Sequence, residues 1–351
     1  MDSDQSPKVL FLSLSGIGNY LMHAPTIAAL KEERPGAEIT VWVAPRGTKA
    51  LALADPNVDK VVEAQIRRSV LLIGLHTWNL ARRRFDVAIM LSPGQLWKGA
   101  AHMFLAGIHE RIAHHYSHLG NPKSSFLLTR AIPEVEGMHD IEQNLRLLSE
   151  LGIDDSPYHN SPYSIAPLGE ADKAAAEKLI TGMRIDASRR LVGLHAGSAP
   201  DFTWKRWPRE RFIELGRTLT TKHNAHVAVF GGPDERDLKK ELVAGIGKHA
   251  STVSGSLLAT AGVMQQCAVV VANDSGLMHL AAATGTPTIG LFGPTDEQLT
   301  GPRGQQALTL RAPGTSAVYS TELQQNLGTT THESLLGLAT AEVEQAVLTY
   351  L

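Results

Sequence analysis

The most specific chemistry in this 351-residue chain sits where an apolar run, Val269-Val270-Val271, gives way to Asn273-Asp274-Ser275-Gly276. The run reads as a buried strand. A short helix follows from Leu277 to Ala283, stopped by Gly285-Thr286-Pro287. Asp and Ser are strong N-cap residues, and glycine lets a ligand come close to the backbone. A second strand, Thr288 to Phe292, opens into Gly293-Pro294-Thr295-Asp296. Two strand ends and a helix N-terminus thus meet at one crevice, where unpaired helical N–H groups and the helix dipole favour an anion. Asp274 can accept from ligand hydroxyls, and the Ser275 and Gly276 amides can face an anion. His279 either donates to phosphate or satisfies a buried polar contact.

Other strand ends add to this set. Leu191 to His195 reads as a strand that turns at Ala196-Gly197-Ser198, where a backbone N–H and a hydroxyl can serve the same phosphates. The loop Asp201 to Pro208 carries Lys205. Ala225 to Phe230 is a strand closing on Gly231-Gly232-Pro233-Asp234-Glu235, whose last carboxylate can accept from two vicinal hydroxyls. Near the start, Lys8 to Ser13 is a strand, Ser15-Gly16-Ile17-Gly18-Asn19 a turn and Tyr20 to Glu33 a helix. Strands at Ile39 to Ala44 and Asp86 to Leu91 follow. Alternation at this pitch predicts α/β, doubly wound parallel sheets. A dinucleotide site is disfavoured: Leu21 stands where a third glycine is needed, and no acidic residue ends the second strand.

The order Asp274-Ser275-Gly276, His279, Ala282-Ala283, Gly285-Thr286-Pro287 and Phe292-Gly293-Pro294-Thr295 resembles the donor-binding region of glycosyltransferase family 9, the heptosyltransferases of the lipopolysaccharide core. Lys205-Arg206-Trp207-Pro208 resembles the family's K-x-W-P, Glu235 its ribose-binding glutamate, and the first strand and turn its opening. The resemblance implies a GT-B type fold of two Rossmann-like domains facing a cleft. It implies an N-terminal acceptor-binding domain over 1–165, a C-terminal nucleotide-sugar domain over 166–335, and a helix in 336–351 packing back on the first domain. It also implies an inverting, metal-independent transferase moving heptose from ADP-heptose to a lipopolysaccharide-core or related acceptor, with no cofactor beyond the donor. Lys205 would bind the donor diphosphate, where leaving-group charge grows in the transition state. Alternatives are another nucleotide-sugar with a soluble or capsule-type acceptor, or a non-catalytic nucleotide-sugar-binding homologue.

One position departs from the family. An aspartate after S-x-G serves there as general base, and this chain has Asn19, an amide without usable basicity but a good N-cap. His23, four residues on and near the same helix face, is the candidate replacement, with helix packing as its plainer role.

The bulk numbers set the context. The chain is 43% apolar and 19% charged with formal charge -2, so no global field draws nucleic acid or an anionic membrane. Its single cysteine, Cys267, excludes an internal disulfide and fits a small buried residue in an apolar run. MDSDQSPKV is no signal peptide, and no apolar run reaches the ~20 residues that span a bilayer. A cytoplasmic protein, peripheral on the inner face of the membrane if its acceptor is lipid-linked, is the expectation. Residues 67–84 form an amphipathic segment with Leu71, Leu75 and Trp78 on one side and arginines at both ends. With Lys98 and Lys123 it is a candidate surface for an acidic glycolipid, or a solvated helix. His114, His115 and His118 lack a carboxylate or thiol to complete a metal set, and Asp2-Ser3-Asp4 spells D-x-D only in a polar tail. The Pro-rich passage 154–172 reads as the interdomain linker.

Overall fold

The computed structural model describes residues 6–44, 47–64, 70–91, 96–115, 126–160, 163, 165, 168–317 and 331–351. The chain divides into two compact units, Met1–Ser161 and Pro162–Leu351.

In the first unit the strands are β1 (Lys8–Ser13), β2 (Glu38–Val43), β3 (Lys60–Glu63), β4 (Val87–Met90), β5 (Glu110–His115) and β6 (Arg130–Pro133), paired in the order β3-β2-β1-β4-β5-β6. In the second they are β7 (Arg190–His195), β8 (Ala225–Val229), β9 (Ala250–Thr252), β10 (Val269–Asn273), β11 (Thr288–Phe292) and β12 (Ala307–Arg311), in the order β12-β11-β10-β7-β8-β9. Every pairing is parallel. Counted from its own first strand, each sheet reads third-second-first-fourth-fifth-sixth, the doubly wound order predicted in outline from the sequence.

Composition explains the central strands. Parallel strands are covered on both faces, so they read as unbroken apolar runs instead of alternating ones. All five residues of β10 are buried, and so are all five of β11. In each unit the strand order reverses at one place, between β1 and β4 and between β7 and β10. Loops leaving the carboxyl ends of those neighbours part to opposite sides and open a crevice.

One expectation changes. The first long helix is Ile17–Glu33, and its N-cap is Gly16. Asn19 lies inside the first turn, so it does not cap the helix; the glycine supplies an extended cap residue without a side-chain bond. The final helix, Thr340–Leu348, belongs to the second unit. Val343 and Val347 complete that unit's core beside Phe212, Leu215 and Leu219 of helix Arg209–Lys222. Cys267 is free and buried.

Candidate active site

The site in the second unit is built at the β7/β10 reversal. Register places Ala272 opposite His195, so the residues after β10 and the end of β7 emerge side by side. Asn273, fully buried, accepts from the Trp207 backbone N–H through Oδ1 at 3.0 Å and donates through Nδ2 to the Gly197 carbonyl at 3.4 Å. That one side chain ties both the 196–198 turn and the 200–208 loop to the strand end. Trp207 anchors the loop further, with its ring edge-on to Phe212 and its Nε1–H donated to the Leu338 carbonyl.

So anchored, the loop delivers Lys205. Its ammonium donates to Asp274 Oδ2 at 2.7 Å, and it lies 5.4 Å and 5.5 Å from the ring centres of Phe202 and Trp204. Thr295, from the turn after β11, donates to the same oxygen at 2.8 Å. Burial pushes the Asp274 carboxyl up. The Lys205 charge and the bonds from Lys205 and Thr295 outweigh it, so the group is held below the usual carboxylate range.

Next to Asp274, Ser275 is the N-cap residue of helix Gly276–Ala283, yet its side chain makes no capping bond. Its hydroxyl is instead 3.0 Å from His195 Nδ1, while His195 Nε2 is 3.2 Å from Glu235 Oε2. A carboxylate only accepts, so Nε2–H donates to Glu235, and Nδ1 shares its hydrogen bond with the Ser275 hydroxyl. The helix's first backbone amides, left without a side-chain cap, are then the donors available to an anion.

Glu235 closes the arrangement. Oε2 also accepts from the Gly232 N–H at 2.8 Å, and Arg206 approaches Oε1 at 3.9 Å. Burial raises this carboxyl, and His195, Gly232 and Arg206 together bring it below its ordinary value. A Cβ on Gly197 would overlap the Glu235 carboxylate, which is why this turn needs glycine. Lys239, buried, donates to the carbonyls of Gly231 and Val253 and to Ser254 Oγ, joining the loops that follow β8 and β9.

The structure thus brings together Lys205, Glu235, Asp274, Ser275, Gly197 and the start of the Gly276 helix. One residue is used differently from the expectation, and for another the structure shows a buried polar contact. Ser198 is buried and donates to the Phe202 carbonyl at 2.8 Å while accepting from Arg206, so its hydroxyl organises the loop and is not free for phosphate. His279 is buried against Tyr163, whose hydroxyl lies 2.7 Å from Nδ1, the packing alternative of the two weighed for it. His195, Asn273, Arg206 and Lys239 were not singled out from sequence. The first two carried a usable signal, a polar residue ending an otherwise apolar strand at a sheet's carboxyl edge.

In the first unit Asn19 is half-buried, and His23 is fully buried with Nδ1 2.8 Å from the equally buried Ser13 hydroxyl. Full burial removes His23 from reach of an acceptor hydroxyl; the ring joins helix to strand. His114 Nε2 is 2.6 Å from the Gln143 carbonyl, and among the described residues no three His, Cys, Asp or Glu side chains could hold a metal. Asp2, Asp4, Arg67, Arg68, His118 and Lys123 lie outside the described residues, as do the side chains of Leu71 and Leu75. No described helix is long and apolar enough to cross a membrane.

Known proteins resemble this chain in sequence and in fold. The sequence profile of glycosyltransferase family 9 (heptosyltransferase) matches residues 75–328. Lipopolysaccharide heptosyltransferase 1 of Escherichia coli O18:K1:H7 is 27% identical over 321 residues, covering 88% of this chain and 92% of that protein. Lipooligosaccharide heptosyltransferase 2 of Haemophilus influenzae is 27% identical over 315 residues, covering 86% and 88%. Among solved structures, a family 9 glycosyl transferase from Veillonella parvula superposes with a TM-score of 0.82 at 20% identity, covering 100% of this chain and 98% of that one. The E. coli ADP-heptose lps heptosyltransferase II superposes with a TM-score of 0.76 at 22% identity, covering 98% of each. The fold class is therefore that of the B-type glycosyltransferases, with a Rossmann-like sheet in each unit.

Proposed function

Because the chain belongs to glycosyltransferase family 9, the heptosyltransferases, we propose that it transfers heptose from ADP-heptose to a lipopolysaccharide-core or related glycan acceptor, with inversion and without a metal ion. The observation that carries the reading is the Lys205–Asp274 pair beside the uncapped start of helix Gly276–Ala283. A nucleoside diphosphate placed there meets an ammonium and backbone amides. As the anomeric C–O bond breaks, its electron pair leaves on the diphosphate, and these groups stabilise that growing charge more than they stabilise the ground state. Glu235, at the end of the β8 side, is the group for the ribose hydroxyls, and Asp274 for the sugar. The acceptor oxygen attacks from the opposite face and gives its proton to a base.

The identity of that base motivates a second reading. Asn19 is an amide and His23 is sealed in the core, an observation that favours a non-catalytic nucleotide-sugar-binding role. The separating experiment incubates purified protein with ADP-, UDP-, GDP- and TDP-sugars, scoring binding, hydrolysis and transfer apart. Selective transfer from ADP-heptose supports the enzyme. Tight binding without turnover on any acceptor supports the second reading.

A further inference from the structure

Helix Leu96–Leu105 in the first unit turns Gly99, Ala100 and Met103 inward, and apart from Lys98 its opposite side is apolar. Trp97, Ala101, Phe104 and Leu105 follow one another at i, i+4, i+7 and i+8, a single stripe. Trp97 is 53%, Phe104 51% and Leu105 66% exposed. Helix Val70–Arg82 runs alongside, joined by Thr77 Oγ1 to His102 Nδ1 at 2.8 Å, and adds Trp78 at 58%. A surface helix ordinarily shows solvent its charged face; here large apolar side chains occupy it.

Each of the three rings on these helices has a cation beside it. Arg82 lies 4.6 Å over Trp78, Lys98 5.4 Å from Trp97, and Arg111 5.5 Å from Phe104. Between Glu63 and Glu110 the sequence has six Lys or Arg and one acidic residue, Asp86, whose carboxylate accepts from the Lys8 backbone N–H. Among the described residues no carboxylate pairs with Arg82, Arg83, Arg84 or Lys98. In a chain of net charge -2 this is a local basic field laid over an apolar stripe.

We propose that this two-helix face docks on an anionic phospholipid bilayer, its aromatic rings entering the interfacial layer and its basic heads meeting lipid phosphates. Rings with an apolar body beside a charged head suit that layer, where one end of a side chain is dry and the other wet. A second copy of the chain is the poorer occupant, since a two-fold contact through this face would set unpaired cations against each other. The inference goes beyond the transfer reaction and takes none of its evidence from it, although the proposed reaction gives it a purpose.

The test is co-sedimentation of the full chain with phosphatidylcholine vesicles, with and without phosphatidylglycerol, at low and high salt. Binding is expected only with the anionic lipid and should weaken with salt. Lys98→Glu removes one basic residue and adds an acid, so it should lower partitioning by about 25-fold, at about fivefold per charge near the surface. Trp97→Ser/Phe104→Ser, both on exposed positions, should lower it at least about tenfold. Nucleotide binding, measured on the same variants, should stay at the wild-type level. Its absence in the wild type would count against the transferase reading and leave the docking result standing. Equal binding to both vesicles, no binding to either, or undiminished binding by the serine variant overturns the proposal. So does wild-type dimerisation in analytical ultracentrifugation that those substitutions abolish, which would give the face to a second copy.

Discussion

Lys205 and Asp274 neutralise each other across 2.7 Å, so any anion entering the site competes for an ammonium that already has a partner. Asp274 is nearly buried, and Lys205 is mostly so. Removing one member of such a pair leaves an uncompensated charge, which costs about 3–5 kcal/mol in buried settings. Structural and chemical roles are therefore entangled in either single variant.

Removing both charges separates them. Lys205→Met is expected to cut turnover by about a hundredfold or more and to lower the urea midpoint. Lys205→Met/Asp274→Asn should recover most of that stability and none of the turnover. Urea denaturation alongside single-turnover kinetics reads the two effects independently. Full turnover in Lys205→Met would take the lysine out of the reaction.

Gly197→Ala tests the packing of Glu235. The added Cβ overlaps a carboxylate that is held from the other side by His195 and Gly232, so Glu235 must leave its place. Nucleoside diphosphate affinity is expected to fall by about tenfold or more, worth about 1.4 kcal/mol, by titration calorimetry. If the effect runs through Glu235, the double variant with Glu235→Ala should bind no worse than Glu235→Ala alone. Additive losses would mean that Gly197 acts on the ligand directly.

A pH signature comes from Asp140, at the start of helix Asp140–Arg146. Burial first, and the Glu134 charge second, raise its carboxyl to about 7. Folding therefore favours the protonated acid. Its contribution to stability is complete below the unfolded carboxyl pKa of about 4 and is lost as pH rises through the folded value. Asp140→Asn should match the wild type at about pH 4 and be the more stable protein at about pH 8. Melting temperatures at both pH values check this; the same difference at each would contradict it.

Asn19→Asp places a carboxylate where the family resemblance puts the general base. A charge in the first helical turn is also favourable to the helix, by about 0.3–1 kcal/mol. Transfer is expected to rise above the wild-type rate and to gain an acidic limb in its pH profile. Unchanged rate and profile would locate the proton acceptor elsewhere.

The parts of this protein that were legible in its sequence are those with local backbone demands. Gly285 takes a left-handed φ of 80° and ends helix Gly276–Ala283, and the strand boundaries around it follow from runs of Val and Ile. Side-chain destinations were less legible because they are set by partners remote in the chain. Lys205 meets Asp274 across 69 positions, and His195 meets Ser275 across 80. Ser275 has good capping chemistry and occupies the cap position, yet a histidine from another strand takes its hydroxyl. Asn19 lost the cap to Gly16 for a related reason: propensity ranks residues but does not fix where a helix begins. The docking of the last helix depended on an apolar face whose complement is formed by residues more than a hundred positions earlier.

The repeated strand order has a consequence for modularity. Among the described residues each six-stranded sheet is assembled from one stretch of chain, and neither borrows a strand from the other. A single crossover near Ser161 would therefore exchange one whole sheet between relatives without cutting a strand pairing. Recombination, in nature or in the laboratory, can thus replace one sheet together with its helices while leaving every strand pairing of the other intact.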